Sequence, residues 1–280
     1  MRVTVRVVGL LIMGGAALWF AAGCNEASEP TDPAAPAAVD LEAPIQTVPP
    51  EARANLAPPE PESSPAPPPE PLLPDLRILE PSGFYMVDQR PSGDRRLKFT
   101  TTIWNAGPGP VEVIGHEDPA TGELAVQQML HSDAGTVPGG FVGTFQFDHR
   151  HGHLHLGGFA RYELWSLGED DQLGELVAQN QKVGFCLMDN IVVDEDLAES
   201  QGGPVYPIDC EADVQGISPG YGDVYVAQLY EQDIVITDLP DGRYALLNYA
   251  NPNGDILEAD YDNNVEMAYV TIDGRRVFSD

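Results

Sequence analysis

From Leu72 onward the apolar residues fall in short runs, broken by Gly, Pro, Asn and Asp. Leu97 to Trp104 is rich in β-branched and aromatic residues and predicts a strand. Asn105-Ala106-Gly107-Pro108-Gly109 reads as a turn, and Val111 to Ile114 as the next strand. Phe141 to Phe147 and Phe159 to Trp165 predict two more. Ile234-Val235-Ile236, a turn at Pro240-Asp241-Gly242, Tyr244 to Tyr249 and Val265 to Ile272 complete the pattern. No long stretch has a 3.6-residue period. The expectation is a mainly β chain, with a single β-sandwich-like domain carrying long loops over residues 72–280. No second linker and no internal repeat is visible.

The pattern upstream is different. Arg2 and Arg6 precede an apolar run, Val7 to Phe20, that is short for a membrane span. The run ends in Ala21-Ala22-Gly23-Cys24, small residues before a cysteine, which resembles a bacterial lipobox. That resemblance implies a lipoprotein signal peptide over 1–23, lipid on Cys24, and an exported bacterial lipoprotein anchored to a membrane, at the outer membrane or the cell surface. An ordinary signal peptide cut nearby is the alternative. Residues 24–71 read as a Pro/Ala/Glu-rich disordered tether, because such a composition buries too little apolar surface to fold; 14 of the chain's 26 prolines lie in it.

Charge and cysteines narrow the function classes. The formal charge of −30, with only 14 Lys and Arg among 280 residues, argues against nucleic acid as a partner and favours cationic ones such as amines. Solubility or a salty habitat would explain the acidity equally well. With Cys24 assigned to lipid, Cys186 and Cys210 remain, and export to an oxidising compartment predicts that they pair. Two separate buried thiols are the alternative.

The densest chemistry lies in Asp148 to Phe159. Four of the six histidines, His149, His151, His153 and His155, alternate with other residues there. In an extended chain alternate side chains share a face, so a strand here would line up imidazoles. Imidazole suits copper, zinc, nickel and iron. Spacing points to a transition metal without choosing one.

Five blocks in order resemble the catalytic domain of the lysyl oxidases, from Leu73-Pro74-Asp75-Leu76 to about Gly274. They are the histidine row with Phe159 and Tyr162-Glu163-Leu164; Gln181 to Asp189; Gln215 to Tyr225; Ile236 to Tyr244; and Leu257 to Val265. The resemblance implies a copper amine oxidase using O2. It implies Cu(II) on His151, His153 and His155, with His149 as the alternative ligand or a surface residue. It also implies a lysine tyrosylquinone made from Lys182 and Tyr225, and primary amines or peptidyl lysine as substrates. The family's Ca2+ site maps onto Asp75, Leu76 through its carbonyl, Glu258, Asp260, Asn263 and Asn264. An ordinary Asx-capped turn is the alternative reading of that block. The chain departs from the animal pattern in its disulfides, of which only Cys186 and Cys210 have counterparts. The 23 residues between these two exceed the family's gap, so collagen or elastin is not implied. Two other functions stay open: a copper- or zinc-binding surface lipoprotein without oxidase activity, and a calcium-stiffened binding module.

Overall fold

A computed structural model describes residues 69–149, 152–180, 184–206 and 213–279. Contacts divide the chain into Met1–Ser64 and Pro65–Asp280, and every described residue lies in the second unit. The signal segment, most of the tether and Cys24 lie outside the described residues.

Fifteen strands among the described residues form three antiparallel sheets of five. In the first, β1 (Leu76–Asp88) pairs with β2 (Arg95–Asn105), which also pairs with β11 (Tyr221–Tyr225) and β12 (Asp233–Val235); β9 (Ile191–Val192) lies outside β11. The second runs β10 (Val214–Ile217), β3 (Val111–Glu117), β4 (Leu124–Ser132), β5 (Gly135–Asp148), β6 (His153–Leu156). The third runs β15 (Arg276–Ser279), β14 (Val265–Asp273), β13 (Gly242–Ala250), β7 (Ala160–Leu167), β8 (Leu173–Asn180). One short helix, α1 (Glu195–Ser200), is capped by the Asp194 side chain, which accepts from the Leu197 N–H at 2.9 Å.

The mainly β expectation holds, and the three antiparallel sheets share one core. Leu97, Phe99 and Ile103 of β2 meet Val113, Val126 and Leu156 of the second sheet and Tyr162, Leu164 and Leu246 of the third in one buried cluster. Phe99 and Tyr162 touch edge to face, with ring centroids 4.9 Å apart, which ties the first sheet to the third.

The histidine row is not one strand. The chain reverses after Asp148, and β5 and β6 pair with Asp148 opposite His153. Gly152 supplies the left-handed conformation this turn needs (φ +78°), and its N–H donates to the Asp148 carbonyl at 2.7 Å. His149 therefore sits in the turn, and only His153 and His155 share a strand face among the described residues. A period-2 pattern is blind to the reversal, because glycine between histidines breaks the strand without breaking the alternation.

Candidate functional site

His153 and His155 stand two residues apart on β6, so the pleat points both rings the same way. Their Nε2 atoms are 2.8 Å apart and the ring centroids 4.8 Å. Two nitrogens bound at about 2.0 Å and a right angle to one tetragonal ion would be separated by about 2.8 Å, so the pair fits neighbouring ligands of such an ion. Asp148 lies 3.7 Å from His155 Nδ1, near enough to favour Nε2 as the nitrogen turned toward its partner. Among the described residues no group of three His, Cys, Asp or Glu is arranged around one metal position. His151, the third ligand expected, lies outside the described residues.

The strand's other neighbour is the segment after Lys182. Leu156 and Phe185 exchange both backbone hydrogen bonds, at 2.7 and 3.0 Å, which seats residues 184–187 along the edge of β6. Gly184 is obligatory there, since a Cβ would lie 2.3 Å from His155 Cβ. Phe185 then meets the Tyr225 ring edge to face at 4.4 Å, and the Tyr225 hydroxyl donates to the Cys186 carbonyl at 2.8 Å. Tyr225 and the histidine pair are thus joined through two consecutive residues. Lys182 lies outside the described residues. Cys186 is disulfide-bonded; Cys210 lies outside the described residues.

Tyr225 is buried, and so is Asp223, two residues earlier on the same face of β11. The Tyr225 hydroxyl also bonds Asp223 Oδ2, while Asn190 Nδ2 donates to Oδ1 at 3.0 Å. Burial, then the charge of Asp223 and its hydrogen bond, push the phenol pKa well above its usual value. The phenol therefore keeps its one proton, with the Asp223 carboxylate and the Cys186 carbonyl both placed to accept it in a hydrogen bond.

A cleft of about 470 Å³ opens beside His155, walled by Phe147, Asp148, His149, Gly184 and Glu231. His149 is exposed and packs edge-on to Phe147 at 5.1 Å, facing the same cleft as His155. Glu231 holds a left-handed backbone (φ +60°), unusual for a residue with a side chain.

The proposed calcium residues also meet. Glu258 is buried; its Oε2 accepts from the Leu76 N–H at 2.8 Å, and its Oε1 from Asn264 and Asn251, each at 2.6 Å. Asn263 Nδ2 donates to Asp75 Oδ1 at 2.8 Å and to Asp260 Oδ2 at 3.1 Å. The amide oxygens of Asn263 and Asn264 are buried without a partner, which is a fit for a hard cation. Against it, the Arg77 guanidinium already occupies Asp75 Oδ2 at 2.8 and 3.0 Å. Leu76 meets Glu258 through its N–H. Burial raises the Glu258 pKa, against hydrogen bonds from Asn251, Asn264 and Leu76 that lower it.

Sequence reasoning missed Asp223, Asn190, Gly184 and Asn251. Asp223 left a signal, since residues i and i+2 of a strand share a face. Asn190 and Asn251 left none, because their roles come from contacts across the fold.

A family model described as lysyl oxidase matches residues 126–279, more than half of the chain. Over 135 residues, 48% of the chain, it is 33% identical to human lysyl oxidase homolog 1. It is 34% identical over 141 residues to chicken lysyl oxidase homolog 2, and 31% over 171 residues to the rat homolog 2. These matches span 15–21% of the relatives' own lengths. The matched region holds the paired histidines, the Phe185 bridge, Asp223 and Tyr225, and the chain belongs to the lysyl oxidase family.

Proposed function

We propose that the protein is a copper-dependent amine oxidase that converts a primary amine, water and O2 to an aldehyde, ammonia and hydrogen peroxide. The observation that carries this reading is the join of Tyr225 to His155 through Phe185 and Gly184. Copper on His151, His153 and His155 would supply the redox power to oxidise a tyrosine, and a lysine tyrosylquinone from Lys182 and Tyr225 would supply the electrophile that takes up the amine.

The chain's own residues do the rest. Asp223 accepts a hydrogen bond from the Tyr225 hydroxyl and so orients the phenol, and Asn190 fixes that carboxylate. Phe185 packs on the ring and limits water there. Asp148 and Glu231 put carboxylates on the cleft wall, where they attract an ammonium group, and Phe147 lends an apolar side for its alkyl stem. Ca2+ held by Asp75, Glu258, Asp260, Asn263 and Asn264 would brace the corner that starts β1. Lipid on Cys24, implied by the lipobox-like segment Ala21-Ala22-Gly23-Cys24, would hold the enzyme at a membrane surface through lipid alone.

The test is amine-dependent peroxide release by the copper-loaded, air-exposed full chain, with an intact mass that reports the Lys182–Tyr225 crosslink. A protein that binds copper but oxidises no primary amine would leave it a metal-binding lipoprotein. Membrane partitioning unchanged by Cys24→Ser would sink the anchor.

A further inference from the structure

Glu231 shares the wall of the histidine cleft with Phe147, Asp148 and His155. Its left-handed backbone (φ +60°) is one that glycine or asparagine enters far more readily. Such a conformation persists only where the surroundings dictate it. Here they do so from both sides. The Asn180 amide donates to the Glu231 carbonyl at 3.1 Å and to the Asp233 carbonyl at 2.6 Å. Gln232 is fully buried; its side chain accepts from the Tyr162 hydroxyl at 3.1 Å and donates to Thr101 Oγ1 at 3.3 Å. Toward Tyr225, the Ala227 N–H donates to Thr100 Oγ1 and its carbonyl accepts from the Tyr85 hydroxyl, each at 3.0 Å. The Leu229 carbonyl accepts from Lys98 Nζ at 2.7 Å.

The segment that runs from Tyr225 to Glu231 is thus fastened along its length, and the carboxylate is set in the cleft before any ligand arrives. The neighbouring acids have their own partners: Asp233 pairs with Arg96 at 2.7 Å and Lys98 at 3.2 Å, and Asp148 lies 3.7 Å from His155 Nδ1. Gln232 and Asp233 are buried, whereas Glu231 is half-buried at the cleft. Amine chemistry decides what such a carboxylate suits best. A nitrogen that attacks a carbonyl does so as a neutral amine, so it sheds its proton and with it the attraction to an acid. A second ammonium on the same molecule keeps its charge throughout. Only that group draws on a fixed negative charge both when bound and when its partner nitrogen reacts. Phe147 on the same wall displaces water, which strengthens the pairing.

We infer that Glu231 makes the cleft selective for amines that carry a second, non-reacting positive charge, such as α,ω-diamines. The inference rests on the amine-oxidase reading for the fate of the bound amine, but not for the binding of the dication. The chain's net charge of −30 gathers cations of every kind near its surface, and salt screens that attraction. A contact inside the cleft discriminates at physiological salt as well.

The test compares 1,4-diaminobutane with pentylamine, which differ by an ammonium in place of a methyl group, on the copper-loaded, air-exposed full chain at physiological salt. Wild type should prefer the diamine in kcat/KM, and Glu231→Gln should lower that preference about tenfold, as expected for losing one charge-assisted contact. Glu231→Asp, which keeps the charge, should retain part of it. Glu231→Asn controls for misfolding, because asparagine tolerates the left-handed backbone; it should lose the preference with a melting temperature no lower than wild type. Binding is read separately, by calorimetry with the N-methylated tertiary analogues of both amines, which cannot form a Schiff base. The dication should bind wild type about tenfold tighter than the monocation, and Glu231→Gln should close the gap. If the gap behaves so while no primary amine is oxidised, the selectivity stands and the oxidase reading falls. A dication-to-monocation ratio that Glu231→Gln leaves unchanged overturns the inference. If both ligands weaken equally in that variant, the carboxylate serves the reacting nitrogen instead.

Discussion

The histidine cleft and the Glu258 corner both gather polar groups, but they are built in opposite ways. At the cleft the key spacings are local: His153 and His155, and Asp223 and Tyr225, are each i, i+2 pairs on one strand. The corner joins residues far apart in the chain, with Leu76 and Glu258 separated by 182 positions. The cleft opens to solvent, whereas the corner is buried and largely satisfied by its own amides. Breaking the cleft should therefore cost chemistry, and breaking the corner should cost stability.

The largest expected effect separates the two directly. Tyr225→Phe and Lys182→Ala should each abolish amine-dependent peroxide release while copper content and melting temperature stay near wild type. Full activity in both variants would remove the quinone from the mechanism. Next, His153→Ala or His155→Ala should weaken copper binding by at least the ~10–100-fold typical of losing a group that only orients a ligand, measured by competition with a chelator. Copper affinity unchanged in both would place the metal elsewhere.

At the corner, Glu258→Gln should lower stability by about 1–3 kcal/mol in urea unfolding, because an amide NH2 would then face the Leu76 N–H. Activity per folded molecule should survive. The pH dependence has a definite sign. Burial raises the Glu258 pKa in the folded state, so the folded protein binds a proton that the unfolded chain has lost. This group's contribution is fully present below the unfolded carboxyl pKa and is lost as pH rises through the higher folded value. Melting curves across that window should show a negative slope that Glu258→Gln removes. Saturating Ca2+ should cancel it as well, since a bound cation favours the carboxylate.

The smallest effect returns to the cleft. Asp223→Asn removes the charge beside Tyr225, which helps hold the phenol pKa high, so its ultraviolet ionisation should move to lower pH relative to a Tyr225→Phe baseline. No movement would mean that burial alone sets that pKa.

How much of this was legible in the sequence follows from the same contrast. Strand identity was readable where β-branched and aromatic runs met Gly and Pro, so Leu97 to Trp104 and Val265 to Ile272 emerged as β2 and β14 nearly at their bounds. Motif contexts pointed to His153, His155, Tyr225 and Glu258, but not to Gly184, Asn190 or Asn251, whose contacts bring those residues together. The reversal at Gly152 was not, because alternation is a one-dimensional pattern and a turn preserves it.

What the sequence by itself determined is the inventory: strands, a histidine pair with period two, a tyrosine and aspartate on one face, and a turn rich in oxygen donors. Only tertiary structure decided which of these meet. Phe185 reaches Tyr225 because its backbone pairs with Leu156, and Gly184 reaches His155 because it has no side chain to prevent it. Asn190 faces Asp223, and Asn251 faces Glu258, through contacts that no local spacing encodes. The physical reason is that a strand dictates the direction of its own side chains, while the packing of the sheets against one core dictates what lies opposite them.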